Sequence, residues 1–230
     1  MVNFIWTIVD IIFRHFNDFG IATGLTLGLT ISSLFVSCII GLIFAFFRIS
    51  NIRILHYIVY VYITVIRGTP LIVQIFMFYY GIVNIIILSP FWAVVIALSI
   101  HNGAYITEIF RGSIQSIERG QMEAARSLGM SYFLAMRRII LPQAFRRAIP
   151  SLGNQFIIGL KDSSLAAYVT LMELWGTAID IAYNSFRVLE TYIVVGLYYL
   201  FLVLFFSYLV HKVEKRLDID IRQKNLEIRN

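Results

Sequence analysis

The sequence has little charge and almost no cysteine. Charged residues make up only 14% of its 230 residues, whereas hydrophobic residues make up 59%. A soluble domain carries about 25% charged residues. The single cysteine, Cys38, stands inside an apolar segment, so no disulfide framework is available within the chain. The composition therefore predicts a membrane protein and argues against a soluble domain.

The sequence also lacks the short motifs of catalytic and metal sites. No glycine is followed by lysine, so the loop that cradles nucleotide phosphates is missing. HExxH, CxxC and Gly-x-Ser-x-Gly are absent, and the four histidines stand far apart, at positions 15, 56, 101 and 211. We therefore expect no enzymatic activity, cofactor or metal in this chain. Its 19 basic residues are not gathered into one soluble segment, so we expect no nucleic-acid partner.

Long apolar segments dominate what is present. A spanning helix needs about 20 mainly apolar residues, and the pattern predicts an all-α, polytopic membrane protein with about five transmembrane helices. The predicted spans are residues 20–47, 71–88, 91–110, 150–175 and 192–210. In residues 1–19 a polar residue recurs every three or four positions, which predicts an amphipathic helix at the membrane surface. We expect one transmembrane domain over residues 20–215 and a cytoplasmic tail over 216–230.

Polar residues interrupt the spans, first at Arg67-Gly68-Thr69-Pro70. This sequence must break or kink a helix, because proline lacks an N–H donor and disfavours helix at the preceding residue. Arg67 has two interpretations at this point. It is either an interfacial anchor or a gate residue paired with an acid.

The middle of the third span is unusually polar. Ionisable residues within a span are unfavourable unless they face protein or water, so we expect them to have a function. Spacings of three and four positions place several of them on one helix face. The candidates for a substrate pathway here are His101, Asn102, Tyr105 and Glu108.

The fourth span, predicted to start at Pro150, is interrupted by Lys161-Asp162-Ser163-Ser164. We expect Asp162 or Ser163 to cap a following half-helix, residues 165–175. The positive end of such a half-helix can hold a substrate carboxylate, so Asp162, Ser163 and Ser164 join the candidate pathway. The alternative is that Lys161 and Asp162 merely neutralise each other.

The longest polar interruption is residues 123–142, EAARSLGMSYFLAMRRIILP. It carries Glu123-Ala124-Ala125, Gly129, and a final Ile-x-Leu-Pro at fixed offsets. This pattern resembles the EAA signature of the permease subunits of ATP-binding-cassette importers. In that family the segment forms a short helix and turn in a cytoplasmic loop, here about residues 113–145, that docks on a separate ATPase subunit. Residues 67–74, RGTPLIVQ, also resemble the polar amino-acid branch of these permeases.

The residue types suit such docking. Ala124 and Ala125 form helix readily and permit close approach of a partner, and Glu123 in the first turn would be favoured by the helix dipole. Gly129 can supply the positive φ that ends a helix, and Leu128 would be an apolar contact. These five residues are the predicted ATPase-coupling site.

The resemblance implies a MetI-like fold and a complex with several partners. These are two ATPase subunits that bind ATP and Mg, a second permease subunit, identical or homologous, and an extracytoplasmic amino-acid-binding protein. The implied function is translocation of a polar L-amino acid by alternating access. The motifs RGTP and KDSSLAA, the latter followed later by Glu173-Leu174, favour cystine, with glutamine or basic amino acids next. The alternative is a proton-coupled secondary carrier with His101 and Glu108 as its proton relay.

Basic residues predict the orientation. Most of the 19 lie in segments on the same side as the EAA loop. Cytoplasmic loops carry the excess of lysine and arginine. We therefore expect a multi-pass protein of the bacterial cytoplasmic membrane with its N-terminus outside and its C-terminus inside.

Overall fold

The computed structural model describes residues 2–217, and side-chain surroundings from residue 4 onward. Within this range the chain is helical and forms no strand, which confirms the predicted all-α class. Three segments have other helical geometries: Met77–Gly81 and Met136–Ile140 are π-helical, and Ser163–Val169 is a 3-10 helix. The α-helices are α1 (Val2–Arg14), α2 (Phe16–Ile49), α3 (Arg53–Gly68), α4 (Leu71–Phe76), α5 (Pro90–Gln115), α6 (Arg119–Ser127), α7 (Tyr132–Ala135), α8 (Leu141–Asp162), α9 (Leu174–Ser185) and α10 (Val188–Arg216).

Three of these helices, α2, α5 and α10, are each long and apolar enough to cross a membrane. Two further spans are bent. Arg53–Gly68 meets Leu71–Gly81 at 104°, and Tyr132–Val169 meets Leu174–Ser185 at 51°. Counting each bent pair once gives five spans by length and composition, in agreement with the predicted number.

The centre of the molecule is the packing of α2 along α5. Buried serines cross-link the two backbones: the Ser37 hydroxyl donates to the carbonyl of Ser99 (3.1 Å), and the Ser99 hydroxyl donates to that of Ser33 (3.2 Å). Gly41 makes the close approach possible, because a Cβ there would lie 2.5 Å from the Ile106 side chain. Small residues and interhelical hydrogen bonds are the usual means by which membrane helices associate.

The first break falls at Thr69 and Pro70, as predicted. Gln74, which is buried, compensates for the missing helix bonds: its side-chain amide donates to the carbonyls of Ile66 (2.9 Å) and Thr69 (3.2 Å) and to the Thr69 hydroxyl (2.9 Å). The predicted span 71–88 is wrong as a continuous helix, because the helix ends at Gly81 and residues 82–89 are not helical.

The second break is not at the predicted place. Helix α8 runs through Asp162 and continues as the 3-10 helix to Val169; the break comes at residues 170–173. Neither Asp162 nor Ser163 acts as the expected cap of a half-helix. Asp162 has helical backbone angles, and the buried Ser163 hydroxyl donates to the Leu160 carbonyl (2.8 Å). A serine can satisfy its hydroxyl on the preceding helical turn, so a polar run does not by itself interrupt a buried helix.

Glu173 is the side chain that caps the second break. It is 0% exposed, and its carboxylate accepts hydrogen bonds from the backbone N–H groups of Trp175 (3.0 Å) and Gly176 (2.8 Å) at the start of α9. It also accepts from the Tyr199 hydroxyl (2.8 Å) and, more weakly, from the Thr26 hydroxyl (3.4 Å). One buried carboxylate thereby joins α2, α9 and α10.

Two further boundaries differ from expectation. Helix α8 begins at Leu141, and Pro150 lies inside it; prolines are tolerated within membrane helices because neighbouring groups satisfy the freed carbonyl. The chain turns at His15, between α1 and α2, earlier than the predicted boundary at residue 19. Ile8, Ile11 and Ile12 of α1 join a core cluster with α10, so one apolar face of the amphipathic helix packs on protein.

We predict that Glu173→Ala destabilises the chain strongly, because it strips two buried backbone N–H groups and the Tyr199 hydroxyl of their acceptor. Each unsatisfied buried group costs about 1–3 kcal/mol. The loss should appear as a lower midpoint of thermal unfolding in detergent. Glu118→Ala is the matched control: Glu118 also precedes a helix, but its side chain makes no capping bond there. Equal midpoints for the two variants would contradict the role of Glu173.

Candidate functional site

An open cavity of about 520 Å³ lies between α3, α5 and α8. This volume is within the range of small-molecule sites. Most of its lining residues are polar and include an arginine beside the first break, an acid on α5 and two amides on α8. The lining residues are Arg67, Tyr105, Glu108, Ile109, Pro150, Ser151, Asn154 and Gln155.

The charges on the cavity wall are held in two different ways. The Arg67 guanidinium lies over the Tyr105 ring, 4.3 Å from its centroid, an arrangement in which the ring face attracts the cation. Glu108 instead pairs with Arg111 one turn later on α5; two guanidinium nitrogens, Nη2 and Nε, lie 2.6 and 2.8 Å from Oε2. Arg67 forms no ion pair with a described residue and lies on the Tyr105 ring instead, so the choice between an interfacial anchor and a gate residue stays a prediction.

The structure separates the residues that were predicted to line a pathway in α5. Tyr105 and Glu108 face the cavity with Arg67. His101 lies nearby, with its ring 5.4 Å from that of Tyr105, and its Nδ1 is 3.2 Å from the side-chain oxygen of Gln74. His101 is therefore connected to the first break. Asn102 is buried behind the cavity, where its carbonyl accepts from the Gln155 amide (2.9 Å).

Asp162, Ser163 and Ser164 do not line this cavity. They lie where α8 passes into the 3-10 helix, and Ser163 is fully buried. No ion pair joins Lys161 to Asp162 among the described residues, although the Lys161 charge acts on the Asp162 carboxyl, so the alternative of local neutralisation stays a prediction.

Three amide side chains were missed by sequence reasoning: Gln74 at the first break, and Asn154 and Gln155 in the cavity wall. Each stands in an otherwise apolar segment. Burying an amide without a partner is unfavourable. An amide in a predicted span was therefore a signal that the chain folds it against another polar group.

The EAA segment forms the helix and turn that were expected. Helix α6 ends in a left-handed glycine, Gly129, with φ of +83°. The N–H of Met130 donates to the carbonyl of Ala125 (3.1 Å) and that of Gly129 to the carbonyl of Arg126 (3.0 Å). This pair of bonds is the Schellman arrangement, which satisfies the last carbonyls of a helix.

The exposed part of this segment is smaller than predicted. Ala125 is only 2% exposed, since α6 packs against the π-helical residues 136–140, so Ala125 is not available to a partner. Glu123 is the fifth residue of α6, past its first turn, because the helix starts at Arg119. We define the coupling surface as Glu123, Ala124 and Leu128; all three are exposed, Leu128 by 84%.

The known proteins that this sequence resembles are membrane components of transport systems. The sequence model of a family described as "Binding-protein-dependent transport system inner membrane component" matches residues 37–219. The L-cystine transport system permease protein of Bacillus subtilis is 42% identical over 84% of this chain and 83% of its own length. The nopaline transport system permease protein of Agrobacterium fabrum is 37% identical over 94% of each chain. The glutamine transport system permease protein of Escherichia coli K12 is 38% identical over 85% of this chain and 90% of its own.

Solved structures with a similar fold also belong to ABC transporters. The chain matches a crystal structure of an amino acid ABC transporter with histidines, with a TM-score of 0.83 and 37% identity over 89% of this chain and 96% of the other. An inward-facing MetNI methionine ABC transporter shares the fold, with a TM-score of 0.74 at 18% identity over 85% and 94%. These matches do not support the alternative of a proton-coupled carrier. The chain belongs to the family of binding-protein-dependent transport system inner membrane components.

Proposed function

We propose that this chain is the permease subunit of an ATP-driven importer and that it moves a polar L-amino acid by alternating access. The observation that carries the proposal is the charged cavity between the first bent span and helices α5 and α8. It occurs in a chain whose relatives are permeases of amino-acid and opine transport systems. ATP and Mg bind to a separate ATPase subunit, because this sequence has no phosphate-binding loop of its own.

The cavity suits a zwitterion. Arg67 offers a guanidinium that no described carboxylate neutralises, and a guanidinium binds a carboxylate through two parallel hydrogen bonds. Glu108 offers a carboxylate to the ammonium group of the same ligand. Among polar amino acids we favour cystine, on the RGTP and KDSSLAA motifs and the 42% identity to an L-cystine permease. Glutamine and basic amino acids come next.

The gate of this pathway is the Arg67-Gly68-Thr69-Pro70 break. Arg67 is in the last turn of α3, and Gln74 of α4 holds the carbonyls on the N-terminal side of Pro70. A rotation of α3 against α4 at this point moves Arg67 off the Tyr105 ring. His101 connects Gln74 to α5, so the break and the cavity wall move together.

The coupling surface binds the ATPase. Two ATPase subunits, a second permease subunit and an extracytoplasmic binding protein complete the complex. The chain spans a bacterial cytoplasmic membrane. The loop that carries the coupling surface, about residues 113–145, and the C-terminus lie on the cytoplasmic side, and the N-terminus lies on the outer side. The excess of basic residues on the loop side supports this orientation. Most of the predicted tail, from residue 218 onward, lies outside the described residues.

Affinity purification from the native membrane tests the complex. In mild detergent the wild-type chain should bring down an ATPase subunit. Glu123→Lys reverses the charge of the coupling surface and should release it. Purification of the wild-type chain without an ATPase, in conditions that keep its second permease subunit bound, would contradict the proposal.

We predict that Gly129→Val lowers ATP-driven uptake by about tenfold or more, because a β-branched residue is strained by about 1–3 kcal/mol at a positive φ. Gly120→Val is the matched control. Both glycines belong to the same loop, and a Cβ would meet nothing within 4 Å at either position, but only Gly129 has a positive φ. Uptake that falls equally in both variants would argue against the turn as the cause.

We predict that Glu108→Gln raises the KM for uptake of the transported amino acid by about tenfold, because a charge-assisted hydrogen bond to the ligand is worth about 1.5–3 kcal/mol. Arg111→Gln removes the intrachain partner of Glu108 but not its charge, and should affect KM much less. Glu190→Gln on α10, outside the cavity lining, is the control for charge removal. Equal KM values for Glu108→Gln and the wild type would refute a ligand contact.

A further inference from the structure

An apolar groove of about 430 Å³ opens at the end of the bundle where α2 stops and α8 begins. One wall is the last turn of α2, and the other follows α7 into the π-helical residues 136–140. Among the described residues, Arg137 is the one charged side chain in its lining. Its main lining residues are Phe46, Ile49, Tyr132, Phe133, Met136 and Arg137.

A polar cleft of about 540 Å³ adjoins this groove at the turn between α2 and α3. Ser50 lines both cavities, so the two meet at this residue. The cleft is basic and aromatic, and no acid of the described part of the chain lines either cavity. Its main lining residues are Asn51, Arg48, Arg53, His56, Tyr57 and Tyr60.

The arginines of the two cavities have no anionic partner. Arg48, Arg53 and Arg137 form no ion pair with a described residue, whereas Arg14, Arg111 and Arg187 do. Three unpaired cations around adjoining cavities attract an anion, and guanidinium groups are particularly suited to phosphate.

We propose that the two cavities together hold one anionic phospholipid, with its phosphate between Arg48 and Arg53 and an acyl chain in the apolar groove. Basic pockets between membrane helices on the cytoplasmic side are suited to anionic head groups. A lipid fits both cavities at once, because its acyl chain suits the apolar groove and its phosphate suits the basic cleft, whereas a free phosphate would leave the groove empty.

The site lies at the depth where lipid head groups meet the hydrocarbon. Helix α2 is long and apolar enough to span, and it ends at Ile49, in the groove wall. The groove shares no residue with the coupling surface of Glu123, Ala124 and Leu128. A lipid bound here contacts α2, α3 and the segment that follows α6.

Native mass spectrometry of the full chain in detergent tests the proposal. Dioleoylphosphatidylglycerol and dioleoylphosphatidylcholine serve as probes, because they share acyl chains and differ in net charge. The anionic lipid should bind about thirtyfold more tightly, since each arginine near the membrane surface contributes a factor of about five.

The double substitution Arg48→Gln, Arg53→Gln should abolish this preference. Lys212→Gln with Lys215→Gln removes the same charge from α10, outside both cavities, and should preserve it. Equal affinity for the two lipids, or an equal loss in both double variants, would overturn the proposal.

Three further measurements identify the occupant of the groove. Dihexanoylphosphatidylglycerol, which has the same head group on short chains, should bind at least tenfold more weakly than the dioleoyl lipid. Millimolar inorganic phosphate should not displace the dioleoyl lipid; displacement would indicate a free-anion site. A benzophenone side chain in place of Tyr132 should crosslink a lipid in the native membrane. A crosslink to the ATPase subunit would show that a protein covers the groove and would refute the lipid site.

Discussion

The structure depends on hydrogen-bond partners for the backbone N–H and carbonyl groups that are left free where its spanning helices are interrupted. A carbonyl or N–H group without a partner is costly inside a bilayer, where water is not available to replace the bond. In each of the two bent spans, one buried side chain supplies the missing hydrogen-bond partner. Gln74 donates to carbonyls released at the first break, and Glu173 accepts from N–H groups released at the second. Each of these side chains also faces another helix: Gln74 is within hydrogen-bond distance of His101 on α5, and Glu173 accepts from Tyr199 on α10.

The first break positions the site. Because α3 ends at Gly68, Arg67 lies at the end of a helix and can reach the ring of Tyr105 on α5. The cavity therefore lies between α3, which ends at the break, and two helices that are tied into the bundle: Ser37 of α2 bonds to Ser99 of α5, and Gln155 of α8 bonds to Asn102 of α5. Helix α6 follows α5 after a short turn, residues 116–118, so it is joined directly to the helix that carries Tyr105 and Glu108.

The sequence predicts the parts of this fold that follow from bilayer thickness and from proline. Helices α2, α5 and α10 were predicted to within a few residues at most ends, and Pro70 located the first break. The second break was predicted about ten residues too early, because its cap, Glu173, is held partly by Thr26 and Tyr199, which are distant in sequence. In the same way Arg67, Tyr105 and Glu108 were recognised individually, but their common cavity arises from tertiary packing and includes the unpredicted Asn154 and Gln155. Ala125 was predicted to contact a partner from its residue type, but tertiary packing buries it within its own chain.

The proposed transport of an amino acid with energy from a separate ATPase can be measured in proteoliposomes that contain the complex purified from the native membrane, together with its binding protein. The substrates are radiolabelled cystine, glutamine and arginine. At least one of the three should accumulate only when ATP is present on the side of the coupling surface, and vanadate should stop this accumulation. Accumulation of the same amino acid without ATP, driven by an ion gradient alone, would contradict ATP-driven transport.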